Sequence, residues 1–312
     1  MKRNMFYLAM AAFVAIANVA CSSDDDGGDE NYTPTLNPPK YDNEAVVFSI
    51  IEPSVIHTSV PNAPVMTSVN ITESGQVVFG LGNGTSFKTY NIASITGNTY
   101  NLDANRGTIR RLVPDTPTGA TSTVQLLIDV TIDLDDGQSC NYNTGEGGVD
   151  AEATIPAAGS VIETYLCRTW IILGMTIEYQ EDGKDAVFRE FDGGNLSEVA
   201  AYANDQGAGL TSDELAELDR NISNVVVEKS GLILINYTNR SNDAAQWSWA
   251  NSEQTQLKIK LKDSEMGNKF LSDNTAIDVA FKDVRCVLKL KNRITGSKNY
   301  NVALALRLQS RD

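Results

Sequence analysis

Two stretches of this chain restrict its fold more than any others: SVNITESGQVVFG at 68–80 and NVVVEKSGLILIN at 224–236. In each, apolar residues recur at every second position on both sides of a Ser-Gly pair. Period two belongs to strands, whose successive side chains leave the backbone on opposite faces. Glycine supplies the positive φ of a tight turn at little steric cost, so each stretch predicts a hairpin. Aligned on Ser-Gly, Val69, Ile71, Val77 and Phe79 fall opposite Val225, Val227, Ile233 and Ile235. The match continues one residue out of phase, with Tyr90 and Ile92 against Trp247 and Trp249, then Tyr100 and Leu102 against Leu257 and Ile259. Each half closes on an apolar run, a Gly-containing turn and a Tyr, in VQLLIDVTIDLDDGQSCNY and VRCVLKLKNRITGSKNY. Alternation common to all strands also produces chance matches. Two antiparallel meanders are expected whether or not the halves share an origin.

Val, Ile, Thr, Asn, Ser and Gly are plentiful and long helix-forming runs are rare, so the fold class is mainly β, with two antiparallel lobes. Residues 143–159, NTGEGGVDAEATIPAAG, are small and polar and read as a linker. That places an N-terminal β-meander lobe at 45–142 and a second lobe at 160–312. The second opens on a strand around 162–179. A two-helix insert at about 196–221 follows, with Ser197 and Ser212 as caps. Of the cysteines after Cys21, Cys167 and Cys286 sit in apolar strand-like runs and Cys140 follows a turn. Three is an odd number, which leaves buried free thiols or a single 167–286 bridge.

The N-terminus tells where the chain goes. Lys2 and Arg3 precede a run from Met5 to Ala20 that is apolar except for Tyr7 and Asn18. As a helix it would rise about 24 Å, short of a hydrocarbon core, so residues 1–20 read as a secretory signal. Val19-Ala20-Cys21 resembles the lipobox of bacterial lipoproteins, with Asn18 where that motif prefers leucine. The resemblance implies lipid attachment at the Cys21 sulfur and removal of what precedes it. Ser22, Ser23, Asp24, Asp25 and Asp26 resemble the acidic export signal of Bacteroidetes surface lipoproteins; a plain solvated linker is the other reading. Residues 21–44 form an acidic tether with a typical reach of about 25 Å. Without Lys2 and Arg3, 23 basic residues face 40 acidic ones, a net charge of −17 against −15 for the whole chain. Nucleic acid would be repelled by such a surface.

The second lobe is similar to the lipocalin-like domains of Bacteroidetes outer-membrane lipoproteins, a family of unknown function. The likeness rests on Arg168-Thr169-Trp170, the helical insert and the hairpin VVVEKSGLILINY. The strand QWSWANSEQTQLKIKL and the closing pair around CVLKLKN and NVALALRL complete it. Arg168 stands where true lipocalins favour glycine. The resemblance implies a cell-surface β-barrel or half-barrel with no known chemistry.

Candidate sites follow from residue types. Trp247 and Trp249, two apart in a strand, share a face and could stack a sugar, line an apolar cavity or, with Trp170, plug the barrel. His57 is the only histidine and sits in a Pro-bounded loop-like stretch, without a Ser or Cys motif beside it. One imidazole and no CxxC pair argue against zinc. Asp133, Asp135 and Asp136 in IDLDDGQS fail the EF-hand spacing and read as a hairpin turn. Glu178, Glu181 and Asp182 are the carboxylates available to a glycosidase, though a solvated turn accounts for them. Gly82-Asn83-Gly84 is a turn rather than a phosphate cradle.

The expectation is a non-enzymatic, lipid-anchored lipoprotein of the outer membrane, exposed at the cell surface, without cofactor or metal. It would bind a small apolar or carbohydrate ligand or a surface-protein partner, and meet the membrane through its N-terminal lipid. A glycan-acting hydrolase and a structural or adhesive surface subunit are the alternatives.

Overall fold

A computed structural model of the chain describes residues 43–311, except 83–85, 113–120, 158, 182–184, 186, 206–210, 240–241, 261–275 and 295–299. Cys21 and the acidic residues 22–26 lie outside the described residues. Two compact units emerge: residues 43–160 with 228–232, and residues 161–227 with 233–311. None of the described helices is long and apolar enough to cross a membrane.

The first unit contains β1 (Val46–Ile50), β2 (His57–Thr58), β3 (Met66–Ile71), β4 (Gln76–Leu81) and β5 (Ser86–Thr96). It continues with β6 (Thr99–Leu102), β7 (Gly107–Arg111), β8 (Thr121–Asp133), β9 (Ser139–Asn143) and β10 (Val149–Thr154). Antiparallel pairing runs β10-β1-β3-β4-β5-β6-β7-β8, and β8 returns to β10, so eight described strands close a ring. Alternation explains which side is core. In β8, Val124, Leu126, Ile128, Val130 and Ile132 are buried inside while the residues between them face outward.

Closure extends one sequence expectation and corrects another. The first lobe, expected as a β-meander, closes into a complete barrel. Within the expected linker 143–159, Val149–Thr154 form β10, which pairs with both β1 and β8 and buries Val149, Ala151 and Ala153. Alternating small apolar residues suffice for a strand once two neighbours supply hydrogen bonds; composition alone hides them. The return strand of this barrel is broken: β9 pairs with the later half of β8, β10 with the earlier half, and β9 also holds β2.

The second unit contains α1 (Val161–Leu166), β11 (Thr169–Glu181), β12 (Val187–Asp192), α2 (Leu196–Asp205) and α3 (Ser212–Glu217). Its later strands are β13 (Ile222–Val227), β14 (Leu232–Tyr237), β15 (Asn242–Trp249), β16 (Gln256–Lys260), β17 (Ala276–Lys282), β18 (Arg285–Ile294) and β19 (Tyr300–Ser310). The order β11-β13-β14-β15-β16-β17-β18-β19 closes by β19 pairing with β11, a second eight-stranded barrel among the described residues, with β12 added alongside β11. It is a full barrel and not a half-barrel. A bulge at Leu173 shifts the phase of β11, so Trp170 and Ile172 point inward before it and Met175 and Ile177 after it. Leu196, Val199, Ala200 and Leu218 of the helical insert complete the apolar core.

Two local readings change. Residues 161–166, expected as the start of a strand, are helical although Val, Ile, Thr and Tyr favour β structure; tertiary contacts described below override propensity. The first residue to cap α2 is Asn195, whose Oδ1 accepts from the N–H of Ser197 at 3.2 Å and from its hydroxyl at 2.8 Å. Ser197 donates rather than caps.

The paired hairpins correspond in detail. Val69 pairs with Phe79 and Ile71 with Val77, as Val225 pairs with Ile235 and Val227 with Ile233. Each ladder carries a bulge at the same place, between Met66 and Ser68 and between Ile222 and Asn224. The turns agree as well. Thr72 N–H donates to Gln76 O at 2.9 Å and Glu228 N–H to Leu232 O at 2.8 Å, while Gly75 and Gly231 have φ of 84° and 81°.

Candidate functional site

Antiparallel order brings the start of β11 and the ends of β15, β17 and β19 to one end of the second barrel. Trp170, Trp247, Trp249 and Phe281 therefore gather there, all in or against the same apolar core. The Trp170 and Phe281 rings are 6.3 Å apart. Trp247 and Trp249 meet edge to face, centroids 5.5 Å apart and planes at 87°, the arrangement their quadrupoles favour.

Helix α1 covers this end. The Trp170 Nε1–H donates to Leu166 O at 2.8 Å. Arg168, only 1% exposed, donates from Nε to Tyr165 O at 2.7 Å and from Nη1 to Ser310 Oγ at 3.1 Å, with its guanidinium 5.7 Å over the Trp170 ring. One buried cation thus ties the last turn of α1 to the last residue of β19. Burial pushes the Cys286 thiol up, against the pull of the nearby Arg168 charge. Cys140, Cys167 and Cys286 are all buried and none is in a disulfide, so the alternative 167–286 bridge is absent from the structure.

Trp249 differs from Trp170. It is the last residue of β15 and only partly buried, yet its Nε1 is shielded from solvent and has no hydrogen-bond partner among the described residues. Such a donor carries a desolvation cost of about 1–3 kcal/mol. The adjoining 250–255 loop turns its polar groups on itself: Asn251 Oδ1 accepts from Thr255 N–H at 3.1 Å and Gln256 N–H at 3.2 Å, and Asn251 Nδ2 donates to Thr255 Oγ1 at 2.7 Å.

The remaining candidates are occupied or placed elsewhere. His57 is exposed on β2, opposite Asn143. Asp133 accepts from Arg106 Nη1 at 2.8 Å and from Ser139 Oγ at 2.6 Å, and the Arg106 hydrogen bond holds its carboxyl below the usual range. Asp135 pairs with Lys88 at 2.8 Å and Asp136 accepts from Gln138 N–H at 2.9 Å. These carboxylates are engaged by protein cations and a turn. Glu178 lies on the outer face of β11, alternating with inward Ile177, and pairs with Lys289 at 2.5 Å. The Glu181 side chain, Asp182 and Asn83-Gly84 lie outside the described residues. Among the described residues, no group of three or more His, Cys, Asp or Glu side chains could hold a metal ion.

No protein-family model matches the chain, and no curated protein matches it. Solved structures similar to it include three proteins of 8% identity. A DUF3598-family protein of unknown function from Nostoc punctiforme has a TM-score of 0.18, over 86% of this chain and 96% of that one. A protein of Bacteroides fragilis, assigned provisionally to the outer membrane, scores 0.20 over 85% and 97%. A point mutant of the vaccine antigen transferrin-binding protein B from Haemophilus parasuis scores 0.21 over 86% and 75%. Scores this low carry no argument about role.

Sequence reasoning placed the tryptophan pair on one face but missed the Arg168 clasp. Arginine two residues before Trp170 was visible; that a helix would supply the carbonyls it needs was not.

Proposed function

We propose that the protein is a lipid-anchored, surface-exposed lipoprotein of the outer membrane that binds a ligand without transforming it. The tryptophan end of the second barrel is the binding end. The observation that carries this reading is the perpendicular Trp247–Trp249 pair, whose Trp249 ring is partly exposed at the barrel end. Aromatic rings offer large contact area with little loss of side-chain freedom. The acidic tether from Cys21 would hold the barrels away from the bilayer.

Two measurements test the two halves of the proposal. Labelling with a palmitate analogue should mark the wild-type protein and not a Cys21→Ala variant, which should leave the membrane fraction. Binding screens of apolar and carbohydrate ligands should give a hit that weakens when Trp249 is replaced by Ala. A hit indifferent to both Trp247→Ala and Trp249→Ala would remove the tryptophan end as the binding end.

A further inference from the structure

Among the described residues after 160, only 228–232 belong to the first unit, while Val227 and Ile233 on either side belong to the second. The segment spans the β13–β14 turn, and it meets the equivalent turn between β3 and β4. Ser74 Oγ–H donates to Glu228 Oε1 at 2.8 Å, and the backbone N–H groups of Glu73 and Ser74 also donate to the Glu228 carboxyl. In the aligned hairpins Lys229 stands where Glu73 does, and these opposite charges pair across the contact at 3.1 Å. We propose that this contact is a proton-operated latch: protonation of the Glu228 carboxyl seats the 228–232 turn in the first unit, and loss of that proton to solvent frees it.

Burial supplies the sensor. Glu228 is 2% exposed, so its ionised form forgoes hydration when the turn is seated and regains it when the turn is free. The Ser74 hydroxyl and the two N–H groups recover part of that loss, because they donate to the charged form. Desolvation outweighs them, and the charge of Glu73 adds to it, so the seated carboxyl titrates at about 7 rather than near 4.5. Among the described residues, the charged groups facing it are Glu73, from the β3–β4 turn, and Lys229, from its own turn. The seated turn therefore holds its proton more tightly than the freed one. Seating is strongest below about 4.5 and is lost progressively as pH rises from there through about 7.

The test uses the full chain and its Glu228→Gln and Ser74→Ala variants. The Glu73 and Ser74 amides lose their acceptor when the turn leaves, so their hydrogen exchange reports the latch. Exchange is followed residue by residue by NMR from pH 5 to 8, each rate divided by that of a free peptide at the same pH. In the wild type, protection of these two amides should fall on the order of 30-fold between pH 5 and 7, while amides of β8 and β19 keep theirs. In Glu228→Gln the protection should not vary with pH. Ser74→Ala removes a donor to the ionised form, so the fall should extend to higher pH. Protection unchanged with pH in the wild type, an equal fall in Glu228→Gln, or an unmoved profile in Ser74→Ala would each overturn the latch. Protection lost together throughout both units would mean global unfolding and would overturn it equally.

Discussion

Gly174 and Arg307 face each other across the β11–β19 ladder, so closely that a Cβ on Gly174 would stand 2.5 Å from Nη2 of Arg307. The same Cβ would lie 2.6 Å from the carbonyl oxygen of Phe191, so trimming the arginine relieves only one of the two clashes. Gly174→Ala is expected to cost about 1–3 kcal/mol by overpacking. Gly147→Ala, whose Cβ would meet nothing within 4 Å, is the control and should stay within about 0.5 kcal/mol. Urea denaturation of the two variants checks the difference; equal midpoints would refute the close approach.

Arg168→Met keeps volume and stem but leaves Tyr165 O and Ser310 Oγ without their donor. A loss of about 2–4 kcal/mol is expected, with α1 released first. Hydrogen exchange should therefore accelerate over 161–166 in this variant before it does so in β11. Uniform acceleration across the second barrel would mean that α1 is no separate clasp.

Within the first unit, burial pushes the Glu228 carboxyl up to about 7, against the stabilising hydroxyl of Ser74 at 2.8 Å; neighbouring Glu73, paired with Lys229 at 3.1 Å, adds to the rise. A raised folded-state value means stability is full below the ordinary carboxylate range, near 4.5, and declines as pH climbs through about 7. Glu228→Gln should thus be more stable than wild type at pH 8, by on the order of 1–3 kcal/mol, and near equal at pH 4. Melting curves at the two pH values decide; a variant no better at pH 8 would contradict the burial.

Asp133 gives the opposite sign. Its carboxyl is held low, chiefly by the Arg106 hydrogen bond, so its contribution is present at neutral pH and fades as pH falls below the ordinary aspartate range. The side chain is 48% exposed, and solvent screening limits the effect of Asp133→Asn to about 0.5–1 kcal/mol at pH 7. The difference between variant and wild type should shrink progressively as pH falls below the ordinary aspartate range.

Cys140, Cys167 and Cys286 should resist a thiol reagent in the native protein and react together once denaturant unfolds it. Mass spectrometry of the labelled, unfolded chain reads all three. A 167–286 disulfide recovered instead would contradict the reduced thiols.

Much of the fold was legible because its signal is local. Period-two alternation in VVFG and LILI, a Gly after each Ser, and the odd cysteine count are properties of short windows. What escaped depends on distant partners. Residues 161–166 look like a strand until Arg168 and Trp170 donate back to their carbonyls. Ala151 and Ala153 look like linker until β1 and β8 flank them. At the candidate site, the shared face of Trp247 and Trp249 follows from spacing. That the Trp249 donor finds no acceptor among the described residues required the folded barrel, since any neighbouring strand or loop could carry one.

The bulge common to both hairpins has a practical corollary. Residues 66–81 and 222–237 are equal in length and carry the same kink, the same turn bonds and the same inward positions. They should serve as interchangeable cassettes: transplanting one into the other's berth should shift no downstream register, while the volumes of exchanged interior side chains, such as Phe79 for Ile235, and the turn contacts Ser74–Glu228 and Glu73–Lys229 need accommodation.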